Sequence, residues 1–411
     1  VLLLSGIAVA CMALVLGKHT PIFHLAWKYL PGMGQFRFPT RFLVVVELAL
    51  ALLGAIGLTS LCADCSRRFA TRVPRLAGLL ALGVTAGTAL DLFANQSHQN
   101  PFVPASEWLN PPAAVATLGN DARRARFYAP LHNDLHMQAF RVARGWSNLD
   151  PYRLLRATVA PNTGVYWDVP TVDCYAGIAP SWFVDVWGDH SRYGFVVPPL
   201  MRYQNGAILT GASYASTLAT FGVTHVLSPV PVVSAQLREI PNEDGIHVYE
   251  VAGQRVRIIP EARKVDSNRE AASFLVQPGF DPDRLLLLHR RKRDEALQQS
   301  TAPARSARAQ IVSEDSRHVR VDVEAPQGGY LLLADTYYPG WQAQVDGTAA
   351  TLHRANISLR AVWLPPGAKK VEFVYEATAF FRGIKLASVA LVLLLAWVLA
   401  CARRVRQARF A

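Results

Sequence analysis

Two arginines and two carboxylates stand at or inside apolar runs, where charge is expensive. Arg37 and Arg41 precede the run Phe42–Leu61, Glu47 lies within that run, and Asp91 lies three residues before the end of a second run, Leu76–Ala94. At the rise of an α-helix, Glu47 sits ~9 Å deeper than Arg41. Ionisable side chains in such runs mark function by default. A guanidinium matches phosphate oxygens in shape and charge, so Arg37 and Arg41 fit a phosphate group at the membrane surface. The plainer reading is that the arginines snorkel to the interface while Glu47 and Asp91 pair with neighbouring helices.

A second set is polar and aromatic. Trp146, Asn162, Tyr166, Trp167, Asp173 and Tyr175 combine rings, an amide and a carboxylate, a mixture that suits contact with a sugar. Such residues also form the cores of irregular α/β domains. His132-Asn-Asp134-Leu-His136 offers metal-ligand types at alternating positions. A strand would put all three on one face, and a helix would align the two histidines. A divalent metal is compatible with these ligand types, but no second His or Cys pattern supports one, and a solvated loop explains them equally. Cys62-Ala-Asp-Cys65 is a single CxxC pair, which falls short of a four-Cys zinc site. In Tyr337-Tyr-Pro-Gly-Trp341 the rings are expected to pack a core around a Pro-Gly turn. No Walker A loop, nucleophile elbow or dinucleotide fingerprint occurs, so no cofactor is indicated.

The elements that carry these residues follow from hydropathy. Phe42–Leu61, Leu76–Ala94 and Ile384–Cys401 are long enough to span a bilayer. Val1–Leu16 is shorter and is expected to be the tail of a truncated helix, which makes the chain the C-terminal part of a larger polytopic protein. Arg67, Arg68, Arg72 and Arg75 fill one short loop, and Arg403, Arg404, Arg406 and Arg409 follow the last run. Basic loops stay cytoplasmic, so residues 17–41 and 95–381 are expected outside, with a cytoplasmic tail at 402–411. The net charge of +12 divides as +5 over residues 1–94, +1 over 95–381 and +6 over 382–411. The basic balance therefore reflects membrane topology, and nucleic acid is not an expected partner.

Within the outer region, residues 95–290 read as mixed α/β. Short strands are expected at Arg126–Tyr128 and Thr224–Leu227, and a strand pair at Ile246–Glu250 and Arg255–Ile259. Helices are expected at Tyr214–Phe221 and Asn268–Leu275. Residues 291–310 read as a linker. Residues 311–376 hold short alternating runs between Pro/Gly turns, with Asp346-Gly347 as a hairpin turn, and predict an all-β sandwich running into the span at 384–401. The fold class is thus a helical membrane region with a large extracytoplasmic α/β and β-sandwich part.

Four further sets of residues occur in order: Gly17-Lys-His-Thr-Pro21 with Leu30-Pro31 and Phe36-Arg-Phe-Pro-Thr-Arg-Phe42; Asn162, Tyr166, Asp173 and Tyr175; Phe221-Gly-Val-Thr-His-Val226 with Val248-Tyr249-Glu250 and Phe280-Asp-Pro282; and Asp335-Thr-Tyr-Tyr-Pro-Gly-Trp341 with Val345-Asp-Gly347, Asn356, Arg360-Ala361, Pro366-Gly367 and Val371–Tyr375. Together they resemble the bacterial YfhO-like membrane proteins of the GT-C glycosyltransferase superfamily. The resemblance implies a multi-pass protein of the bacterial inner membrane that moves a sugar from a polyprenyl-phosphate carrier to an envelope glycan or lipid acceptor on the outer face. It also implies that the catalytic acidic residue lies in a first outer loop, upstream of this sequence. The alternative is a non-catalytic, membrane-anchored glycan-binding or scaffold protein.

Overall fold

The computed structural model describes residues 1–31, 33, 39–69, 75–96, 103–118, 121–122, 124–132, 134–135, 148–174, 179–188, 192–242, 244–290, 297–300 and 307–410. The chain forms two compact units, residues 1–100 and 101–411. Among the described residues three helices are long and apolar enough to cross a membrane: Pro39–Arg68, Leu76–Gln96 and Thr378–Val398.

In the first unit the helix Leu2–Val15 packs along Leu43–Phe69, which in turn packs on Leu76–Gln96. Val46 and Ala49, small or β-branched and three apart, are buried on one face of the middle helix. A short helix, Pro21–Tyr29, begins with proline at its first turn, where a missing N–H costs nothing.

Among the described residues the second unit is built on four sheets. A four-stranded sheet has the order β1 (Phe127–Tyr128), β4 (His225–Ser228), β7 (His247–Glu250), β6 (Arg238–Ile240). β1 and β4 run parallel, and β4 and β7 antiparallel. A three-stranded sheet has the order β2 (Met201–Gln204), β3 (Ala207–Thr210), β5 (Val232–Val233). A six-stranded sheet has the order β8 (Val256–Ile259), β13 (Gly329–Thr336), β17 (Leu359–Leu364), β16 (Leu352–Ala355), β10 (Leu285–His289), β9 (Glu261–Val265). A five-stranded sheet has the order β11 (Arg308–Glu314), β12 (His318–Ala325), β18 (Ala368–Tyr375), β14 (Trp341–Val345), β15 (Thr348–Ala350).

The six- and five-stranded sheets form the sandwich. Leu331, Leu333 and Val362 from one meet Val321, Val371 and Phe373 from the other. β12 alternates buried and solvated positions because only one of its faces is covered. β13 is buried at six consecutive positions because its sheet is covered on both faces. Its second face, with Tyr330, Leu332 and Ala334, joins the core that also holds Phe183, Tyr214, Leu218 and Leu275. The six-stranded sheet thus takes β8, β9 and β10 from before residue 290, and it is the layer shared by the sandwich and the α/β part.

Two local sequence signals are realised in detail. Asp346 and Gly347 both have positive φ (49° and 80°) and join β14 to β15 in a two-residue turn of the type whose twist matches a hairpin. The helix Tyr214–Thr220 ends in a left-handed Gly222, φ 74°, with Val223 N–H donating to Leu218 O and Gly222 N–H to Ala219 O. That closure satisfies the last carbonyls and turns the chain into β4. The expected pairing of Ile246–Glu250 with Arg255–Ile259 is corrected. Both strands form, but β7 pairs with β4 and β6 while β8 pairs with β13. Their apolar content fits either partner, and burial of both faces of β13 selects the latter.

Candidate functional site

β1 brings two sequence candidates together. The segment ahead of Asp173 pairs with it: Phe127 N–H donates to Pro170 O and Val172 N–H to Phe127 O, each at 3.0 Å. Beyond the other end of β1 the chain turns at Leu131, φ 65°, and delivers His132. His132 Nδ1 lies 2.9 Å from Ala129 O and 3.5 Å from Asp173 Oδ2. The sequence put the histidine in a metal motif and the aspartate in a sugar-contact set; the fold makes them neighbours.

Asp173 is 4% exposed, and beyond its own backbone N–H neither carboxylate oxygen has a hydrogen-bond donor among the described residues. Burial raises its pKa to about 6, with His132 and a backbone N–H opposing the rise. Tyr128 and Tyr214 are buried nearby in the same core and are held protonated, chiefly by burial. The Tyr214 hydroxyl has no partner among the described residues. His132, by contrast, keeps a fifth of its side chain in solvent. The arrangement is a buried carboxyl group poised near neutrality behind a partly exposed imidazole. It can hold or release a proton, or accept a hydroxyl donor.

The shift carries a stability signature. The folded pKa is about 6, above the ordinary aspartate value of 3.8, so the folded chain binds the proton more tightly. Stability therefore declines as pH rises from ~4 to ~6 and stays reduced above that window. Asp173→Asn is expected to raise stability at pH 7 by roughly 1–3 kcal/mol and to flatten that decline. Chemical unfolding at pH 4 and pH 7 checks this. A loss at pH 7 would mean that a donor holds the carboxylate. Retaining a destabilising carboxylate is a mark of use.

The other candidates are distributed as follows. Asn162 opens the turn Thr163–Trp167 in a left-handed conformation. Tyr166 is exposed beside Trp167, with ring centroids 6.1 Å apart. Trp167 Nε1 donates to Leu109 O at 2.9 Å, and the Arg156 guanidinium lies 5.4 Å from the ring centroid. These contacts tie Trp167 to its own surroundings, whereas Asp173 faces His132 and acts electrostatically on Tyr128. Arg41 lies in the turn Pro39–Phe42, and Glu47 is exposed on the helix that follows. Asp91 accepts a hydrogen bond from Asn95 of its own helix at 2.9 Å. Arg37, His136, Trp146 and Tyr175 lie outside the described residues. Among the described residues no group of three or more His, Cys, Asp or Glu is placed to hold a metal.

A second charged centre lies under the Asp335-Thr-Tyr-Tyr-Pro-Gly-Trp341 stretch. Asp335 takes both oxygens to Arg255, Oδ1 to Nε and Oδ2 to Nη2, each at 3.0 Å. Arg360 Nη2 reaches Oδ2 at 2.9 Å, and Arg126 Nη1 lies 3.6 Å from Oδ1. Trp341 covers the Arg360 guanidinium at 3.9 Å, and Glu314 pairs with Arg255 at 2.7 Å. Burial alone would raise the carboxyl, but the three arginines hold it down at about 2. Its partners come from β11, β17, the segment before β8 and the segment before β1, so this centre joins the sandwich to the α/β part. Sequence reading took the stretch as aromatic packing and did not single out its aspartate.

Residues 287–387 match the family model described as bacterial membrane protein YfhO. The match runs from β10 through the sandwich into the last helix. No curated protein matches the chain significantly. Among solved structures the chain is similar to the arabinofuranosyltransferase AftD from Mycobacteria, at 22% identity over 21% of this chain and 7% of that one, with a TM-score of 0.18. A variant of the same enzyme gives 23% identity over 21% and 7% of the two chains, again with a TM-score of 0.18. The chain thus spans only a small fraction of the length of these solved structures.

Proposed function

We propose, for a chain whose residues 287–387 carry the segment of the YfhO family of bacterial membrane proteins, that it is the outer-face part of a GT-C-type glycosyltransferase. The reaction would move a sugar from a polyprenyl-phosphate carrier to an envelope glycan or lipid acceptor. The observation that carries this reading is the junction of sandwich and span. β18 ends at Tyr375 and the last helix begins at Thr378, so two residues separate the folded outer region from an apolar helix. A sandwich on so short a tether works at the membrane surface, where a lipid-linked donor presents its head group.

In this reading the membrane arginines Arg37 and Arg41 hold the donor phosphate and stabilise it as it leaves. Glu47 and Asp91 are the membrane carboxylates, on the helices Leu43–Phe69 and Leu76–Gln96. His132 and Asp173 engage an acceptor hydroxyl on the outer region. The general base lies in a first outer loop, as the resemblance implies. No residue of this chain is assigned that role.

The test is transfer in membranes carrying the full-length protein and a radiolabelled polyprenyl-phosphate sugar. The pair Arg37→Ala/Arg41→Ala is expected to lower the rate by at least ~10-fold, the size of losing a charged contact to the leaving group. Full activity in that variant would remove the arginines from the mechanism. No transfer by the unmodified protein, with intact donor bound at the membrane, would favour the scaffold reading.

A further inference from the structure

A cavity of about 870 Å³ opens at the far end of the six-stranded sheet, between the β9–β10–β16 edge and the β14–β15 hairpin. Strand pairing builds its aromatic wall. Tyr330 and Trp363 are cross-strand partners on β13 and β17, and His353 on β16 pairs with Ala361, two residues from Trp363. A spacing of two puts the three rings on one face of the sheet. Tyr330 meets Trp363 edge-on at 5.0 Å and His353 at 6.2 Å. Trp363 and His353 are half-buried, so part of each ring faces the cavity.

The rest of the lining is polar. His289, the last residue of β10, is 7% exposed, and its Nε2 has no hydrogen-bond partner among the described residues. Burial, reinforced by Arg354, pushes it down to about 3, so the imidazole is neutral and offers an acceptor or a donor without charge. Lys264, Arg290, Gln298 and Thr348 also line the cavity. One side is closed by residues 297–300. Gln299 holds this strap to the edge strand β9 through two hydrogen bonds with the Ala262 backbone, at 3.1 and 2.8 Å. Ser300 Oγ donates to Gln327 O. The cavity is therefore built and has a fixed wall on each side.

Part-exposed rings beside polar and basic hydrogen-bonding groups suit a ligand with apolar C–H faces and many hydroxyl groups. A lipid chain would leave the polar lining unpartnered, and the one carboxylate on the lining, Asp346, is already engaged by the Lys369 and Lys370 N–H groups. The volume is at the upper end of small-ligand pockets, room for several sugar units. We propose that this cleft binds an oligosaccharide, with sugar faces on Trp363 and His353 and hydroxyl groups directed to His289. The cleft deepens the transferase reading and rests on it for its role: it would hold the acceptor glycan away from the membrane. Its sugar binding is a separate property.

The test is isothermal titration of the full chain in detergent with four linear tetrasaccharides, built from glucose, mannose, N-acetylglucosamine and galacturonate. Inorganic polyphosphate serves as the non-sugar anion. At least one sugar is expected to bind, and Trp363→Ala and His289→Phe are each expected to weaken it by ~10-fold or more. Trp363 also packs the core, so Thr348→Trp gives a second reading. Thr348 is exposed on the hairpin, and the added ring fills the cleft without touching the interior. Loss of binding in Thr348→Trp with unchanged melting supports the proposal. Binding of none of the sugars, binding of polyphosphate alone, or full sugar binding in Thr348→Trp overturns it. Intact sugar binding without any transfer by full-length protein would count against the transferase and leave the cleft standing. Intact transfer without sugar binding would remove the cleft alone.

Discussion

Asp335→Asn is expected to lower the stability of the sheet-rich region by about 3–5 kcal/mol, the usual effect of breaking a buried ion pair from one side. Asparagine keeps the shape but removes the charge that three arginines share. Arg126 and Arg360 are 8% and 3% exposed, so neither can recover its hydration in place. Arg360 already leaves Nε and Nη1 without hydrogen-bond partners among the described residues, so its charge depends on Asp335 and on the Trp341 ring. The same centre sets an acid limit. The folded pKa of Asp335 is held at about 2, below the unfolded value, so its contribution is fully present above pH ~4 and is lost as pH falls toward 2. Chemical unfolding of the full chain in detergent, followed by tryptophan fluorescence, checks both points. A loss below ~1 kcal/mol, with an unchanged acid midpoint, would show that water takes over the guanidinium groups.

Gly253→Ala should be comparably damaging, by about 3 kcal/mol or more, for a reason that involves no charge. A Cβ there would lie 1.9 Å from Val223 O, 2.7 Å from Val223 C and 2.9 Å from Gly222 C. All three are backbone atoms at the closure of the helix Tyr214–Thr220, so no side chain can swing aside. Relief requires shifting the turn that feeds β4, and with it the Thr224 hydroxyl that accepts from Arg126 N–H at 2.6 Å. Gly245→Ala is the control. Its φ is +76° but nothing lies within 4 Å of the added carbon, so only the left-handed backbone penalty of ~1–2 kcal/mol applies. Equal losses in the two variants would mean that the Gly253 loop moves away freely.

Much of the local structure was legible because it depends on residues close in sequence. Apolar length marked the three helices, among the described residues, that are long enough to span a membrane, and alternation marked β12. Asp346-Gly347 announced its turn because few residue pairs adopt positive φ at both positions. The candidate sites were legible only in part. Asp173 and His132 were each singled out, yet for different chemistries, because nothing local shows that β1 and the segment before Asp173 lie side by side. The cleft at His289 was missed because Tyr330, His353 and Trp363 sit on three strands, each spaced like an ordinary core position.

By itself, then, the sequence determined what each segment is: its length in the bilayer, its periodicity, its turns, and the sign of charge at its ends. These follow from backbone sterics and from hydropathy, which act over a few residues. Only the tertiary structure decided which segments are partners. The apolar run Leu285–Leu288 would suit many sheets, and it joins β9 and β16 because the six-stranded sheet buries both of its faces there. Arg126 reaches the Ala334 carbonyl 208 positions away for the same reason. A buried charge must be met wherever the folded chain brings it, and that distance leaves no trace in local pattern.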